Sequence, residues 1–117
     1  MTADRFRELA LALDGAEERA HMGHPDFRAH GRIFAGLDAD ERIGTLKLTP
    51  DQQAEMIRQQ PDAFTLAAGA WGRQGWTKVS LGDAAVTGVR TALLLAYQAV
   101  MEQPKTKARK RPGPKRR

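Results

Sequence analysis

His21, His24 and His30, with Asp26 among them, are residue types that ligate metals. Their spacing matches no strong zinc pattern, and the chain has no cysteine to complete a ligand set. Neither a metal nor another cofactor is therefore expected. Ser80 is the chain's one serine and has no matching His/Asp grouping, which argues against a serine triad. Glu17 and Glu18 are adjacent, so on a strand they point to opposite faces and cannot pair as acid and base. The stretch GAWGRQG (69–75) lacks the Gly-Lys-Ser/Thr ending of a phosphate-binding loop. No catalytic residue is expected, and the chain reads as a non-enzyme.

Binding chemistry has better material. Both tryptophans, Trp71 and Trp76, flank the glycine-bracketed run Gly72-Arg73-Gln74-Gly75. Past it, a strand at 76–81 would put Thr77, Val79 and Leu81 on the core face, leaving Trp76, Lys78 and Ser80 opposite. Arg28 alternates with Phe27 and Ala29, and Lys47 with Leu46 and Leu48. If these strands are neighbours, Arg28, Lys47, Lys78 and Trp76 share one cationic, aromatic face, with Arg32 and Arg73 at its turns. Such a face suits phosphates or an acidic peptide, and a tryptophan there can stack on a base. The competing expectation is structural: the tryptophans clamp the connection and cover the sheet edge, and the cations pair with Asp26, Asp38, Asp40 or Glu41.

Charge is unevenly placed. Of 19 basic residues, eight (Lys105, Lys107, Arg109, Lys110, Arg111, Lys115, Arg116 and Arg117) crowd residues 105–117, which hold none of the 14 acidic ones. That leaves 11 against 14 in residues 1–104, an acidic body under a basic tail. The tail has no apolar residue beyond Ala108, so it cannot bury a core and is expected to be disordered alone. Its composition fits non-specific polyanion binding with a steep salt dependence. No apolar run approaches the roughly 20 residues of a membrane span, and the N-terminus does not read as a secretory signal. A cytoplasmic protein without a membrane partner is expected.

The elements that must position these residues follow from periodicity. Phe6, Leu9, Ala10 and Leu13 make a helical stripe over 4–13, with Thr2 as N-cap and Gly15 as stop. Strands are expected near 17–22, 26–30, 32–37 and 42–48, the first two alternatively forming one bent strand. Gly31 and Arg32 suggest a tight turn, and residues 38–41 a hairpin loop. Thr49, Pro50 and Gln52 open a second helix with a capping box, Met56 and Ile57 facing the core, and Pro61 stopping it. A short strand at 64–67, a loop before Trp76, and a last helix over 84–102 capped by Asp83 complete the body. Val86, Val89, Leu93, Ala96, Tyr97 and Val100 keep helical spacing in that last helix. The expected fold is two-layer α+β: about five antiparallel strands and three helices in the order α-β(3–4)-α-β(2)-α, one sheet face left open. The domain is expected at 1–104 and the tail at 105–117.

Several of these residues occur together in a recognisable order. They are Glu17/Glu18, His24-Pro25-Asp26-Phe27-Arg28, Gly31, Phe34, Leu46-Lys47-Leu48, Trp71-Gly72-Arg73-Gln74-Gly75-Trp76 and Ala96-Tyr97. Over nearly all of residues 4–101 the chain resembles the MmcQ/YjbR family of small bacterial proteins. The resemblance implies a compact α+β fold of the CyaY-like or secretion-chaperone-like kind. It also implies DNA binding through β-hairpin wings. The expected function is thus non-enzymatic DNA binding with little sequence readout, through the sheet face and the tail. The alternative is a protein- or peptide-binding module. Body cations gathered into one patch would favour DNA, and an apolar groove or dimer face a protein partner.

Overall fold

A computed structural model of the chain describes residues 1–103. The expected tail, 105–117, lies outside the described residues. The first helix, α1 (Ala3–Leu11), starts where the Thr2 hydroxyl accepts the Arg5 N–H, and it buries Phe6 and Ala10. Strands β1 (Glu17–His21), β2 (His24–Ala29), β3 (Arg32–Leu37) and β4 (Ile43–Lys47) follow as an antiparallel meander. The capping box of α2 (Pro50–Gln59) is complete: the Gln52 N–H donates to Thr49 Oγ1, and the Thr49 N–H to Gln52 Oε1. After α2 come β5 (Phe64–Leu66), α3 (Gly69–Arg73), β6 (Trp76–Ser80), a 3-10 turn at Leu81–Asp83 and α4 (Val86–Met101).

The six strands order as β1-β2-β3-β4-β6-β5, all neighbours antiparallel. Helices cover one face. All four phenylalanines, Phe6, Phe27, Phe34 and Phe64, are fully buried there with Leu46, Val79, Val89 and Leu93. Burial of each phenylalanine contributes roughly 1.5–3 kcal/mol. Phe6 meets Phe27 edge to face, and Tyr97 of α4 meets Phe34 in the same way. The Tyr97 hydroxyl donates to the Asp14 carbonyl at 2.6 Å, tying α4 to the turn after α1. Arg7 bonds Asp4, Glu18 and Glu41 and so ties α1 to β1 and to the β3–β4 loop. Glu18 thus points toward the helices, while Glu17 pairs with Arg19 and faces away, as their adjacency requires.

Several local expectations give way. Among the described residues there are six strands and four helices where about five and three were expected. The segment 17–30 is two strands, separated by a turn in which Met22 and Gly23 have φ of +54° and +82°. Such paired positive angles match the twist of a hairpin. The next turn has the same form at His30 and Gly31, so Arg32 is a strand residue rather than part of the turn. Asp83 does not cap α4. It accepts the Ser80 hydroxyl instead, because the 3-10 turn anchored by buried Leu81 intervenes. The N–H of Ala85 at the start of α4 is met by Gln60 Oε1 at 2.9 Å, from the end of α2. The connection before Trp76 is the short helix α3 rather than a loop.

Candidate functional site

The open face of the sheet is built by register. Directly paired residues share a face, so one row runs across all six strands: Arg19, Asp26, Gly36, Thr45, Lys78 and Thr65. A neighbouring row holds Glu17, Arg28 and Ile33 on one side and Lys47 and Trp76 on the other. Arg28, Lys47, Lys78 and Trp76 therefore do lie on the face opposite the helices, as alternation predicts.

That face is not one continuous surface. Phe27 opposes Ala35 while Arg28 opposes Ile33, so Phe34 is an extra residue on β3, a bulge. A bulge bends its strand and breaks simple alternation. Phe34 and Ala35 are consequently both buried, and Ile33 is turned outward. The β3–β4 ladder ends at the Ala35–Leu46 pair, although β3 extends back to Arg32 and β4 on to Lys47. Between these diverging ends lies a notch of about 610 Å3. Arg28, Arg32 and Lys47 line it with Trp76. Leu48 and, from α4, Ala99 and Val100 add apolar surface, and Gln103 stands at its edge. Among the described residues no carboxylate lines it.

A second cavity, about 520 Å3, lies along the middle of the open face. Gly36 makes room for it: a Cβ there would come within 3.2 Å of Thr45 Oγ1 and 3.3 Å of the Pro25 carbonyl. Pro25, Ile33, Ile43 and the exposed Met22 give it apolar walls, and Asp26 and Lys78 give it charge. Trp76 and Ile33 line both cavities, so both stand between notch and trough.

Electrostatics divide the predicted cations further. Arg28 is held by Asp26 through a two-pronged pair, Nε to Oδ1 at 2.8 Å and Nη2 to Oδ2 at 3.1 Å. These bonds raise the Arg28 pKa above the ordinary arginine value. Asp26 is 6% exposed, and a carboxylate so buried requires such a partner. Lys47 donates to the Gln74 carbonyl at 2.9 Å. Lys47, Arg73 and Lys78 have no carboxylate within ion-pair distance among the described residues. Of the predicted set, the notch brings together Arg28, Arg32, Lys47 and Trp76. Lys78 lines the trough, and Arg73, in the last turn of α3, lines neither cavity. Arg32 pairs with buried Ala29, so it enters the notch from the helix-covered side rather than from a turn. Among the described residues no three His, Cys, Asp or Glu gather as metal ligands.

The tryptophans stand edge to face, with centroids 6.5 Å apart and planes at 73°. Trp71 covers one side of half-buried Trp76 but is itself 64% exposed. The Trp76 backbone is also bonded by a residue absent from the sequence reading. Gln53 of α2 is 4% exposed, and its Nε2 lies 3.0–3.1 Å from the Gly72 carbonyl, the Trp76 carbonyl and Thr77 Oγ1. One amide thereby joins α2, α3 and β6. The available signal was a polar residue at helical spacing from Met56 and Ile57, on the apolar stripe.

A family model described as YjbR matches residues 11–99. Among solved structures, the crystal structure of a Deinococcus radiodurans protein, DR2400, with the family-model domain DUF419, is similar at a TM-score of 0.74. The two chains are 22% identical, and the match covers 91% of this chain and 83% of that one, a likeness of fold. No curated protein matches the chain. Among the described residues no helix is long and apolar enough to cross a membrane.

Proposed function

This chain belongs to the YjbR family, and on that premise we propose that it is a non-enzymatic DNA-binding protein. Its notch and its basic terminal segment hold the phosphate backbone with little readout of base sequence. The observation that carries this reading is the notch lining: three cations beside a tryptophan, with no carboxylate among the described residues, in a body whose net charge is negative. Arg28 is already paired with Asp26, whereas Lys47 has no carboxylate within ion-pair distance among the described residues. Position adds support. Gln103 lines the notch, and eight cations follow it in the sequence between 105 and 117.

The test is DNA binding across a salt series by the full chain, by residues 1–104, and by residues 1–104 carrying Arg32→Ala and Lys47→Ala. Residues 1–104 should bind with a shallower salt slope than the full chain, because fewer counterions are released. The double substitution should remove most of what remains. If it leaves binding unchanged, the notch is not the interface.

The apolar trough supports a second reading, a site for an extended peptide. Pro25, Ile33 and Ile43 beside Asp26 and Lys78 offer both apolar surface and charge. Under that reading the Arg32 and Lys47 substitutions are silent, and Ile43→Lys abolishes partner capture.

A further inference from the structure

The notch is chemically two-sided, and a phosphate backbone alone uses only half of it. Its cations, Arg28, Arg32 and Lys47, suit phosphate. Ile33, Leu48, Ala99, Val100 and Trp76, which also line it, have nothing to gain from phosphate. A ligand that satisfies both must carry a flat apolar surface and an anion a few ångströms apart. Resting on the DNA-binding reading, we infer that the notch takes an unpaired nucleotide of a single strand. The base lies against Trp76 and the apolar floor, and its phosphates lie at the cations.

Duplex DNA does not present that combination. Its base faces are covered by their stacked neighbours, and only base edges reach the grooves. Single strands expose both faces, and aromatic side chains on a cationic track are the usual device for holding them. The size agrees, since about 610 Å3 lies within the roughly 300–1,000 Å3 of clefts that hold small ligands. The ring is also pre-positioned. Trp71 packs against it at 73°, and Gln53 bonds the backbone carbonyl from which it projects, which lowers the ordering cost of binding. The DNA-binding reading on which this rests favours a polymer over a free nucleotide.

Trp76 is its own reporter. In the full chain carrying Trp71→Phe, it is the one remaining tryptophan. An oligothymidylate dodecamer should quench its emission saturably. A duplex of equal length should bind, by anisotropy of an end label, without quenching. Trp76→Leu should weaken the single strand about 5- to 160-fold, the range for one lost stacking contact, and the duplex by much less. Trp76→Phe should restore part of the loss, which a merely destabilised fold would not. If the duplex quenches as strongly, or a bound single strand leaves the emission unchanged, the inference fails while DNA binding stands. If thymidine monophosphate quenches at the same nucleotide concentration as the dodecamer, the ligand is a free nucleotide and the single strand is overturned. Binding of neither oligonucleotide removes this inference and the DNA-binding reading together.

Discussion

Lys47 and Trp76 are direct cross-strand partners on β4 and β6, and the lysine ammonium bonds the Gln74 carbonyl in the turn that leads to the tryptophan. The charge beside the ring is thus oriented by the backbone of the same turn. Lys47→Ala should reduce the salt slope of single-strand binding by about 0.7, the value for one lost phosphate contact. It should cost no more than about 1 kcal/mol of stability, since the ammonium is solvated. Binding titrations at several salt concentrations, with a urea melt, check both.

Asp26 restrains the notch. Its carboxylate occupies two donors of Arg28. Asp26→Asn keeps the shape and removes the charge, so oligonucleotide affinity should rise a few-fold. The reverse change, Arg28→Ala, strands a buried carboxylate and should cost roughly 1–3 kcal/mol. Urea unfolding of the two variants should move in proportion to these roles.

Gln53→Leu removes the amide that reaches Gly72, Trp76 and Thr77 while filling similar space. Both carbonyls keep a backbone donor, Gly75 N–H for Gly72 and Ala67 N–H for Trp76, so the loss should cost only roughly 0.5–1.5 kcal/mol per hydrogen bond. Because one of the carbonyls belongs to Trp76, native tryptophan emission should shift as well. An unchanged emission maximum with full stability would show that the amide does not set the ring.

Gly75 and Gly15 both have positive φ, +111° and +79°, but differ in surroundings. A Cβ on Gly75 would collide with the Leu48 carbonyl oxygen, whereas one on Gly15 would meet nothing within 4 Å. Gly15→Ala should cost only the conformational term, about 1–2 kcal/mol. Gly75→Ala should prevent the β4–β6 junction from closing and yield little folded protein. Circular dichroism and soluble yield distinguish the two.

Glu55, on exposed α2, has its pKa lowered from 4.5 to about 2, first by the Arg58 hydrogen bond and then by that of Gln59. The folded value lies below the unfolded one, so its contribution is present above about pH 4.5 and is lost as pH falls through about 2. A carboxyl titration by NMR should show the low midpoint, and Arg58→Ala should move it back up.

Local rules made much of this protein readable. Both caps at Thr2 and Thr49, the stripe of α4, and the alternation that separates Val79 from Lys78 depend on residues a few positions apart, and all are realised. The set Arg28, Lys47, Lys78 and Trp76 was legible as one face for the same reason. Its division was not. A single bulged residue, Phe34, shifts register, parts β3 from β4 and opens the notch, and no alternation rule marks which residue of a strand will bulge. Nor does the chain announce that Asp26 will neutralise Arg28, or that Gln53 will reach α3 and β6 some twenty residues on. Those pairings exist only once distant segments are packed, because a buried polar group must take whatever partner the fold places within reach. Periodicity therefore determined which side chains leave the core. Tertiary packing decided which of them meet, which are already spent, and where a cavity remains between them.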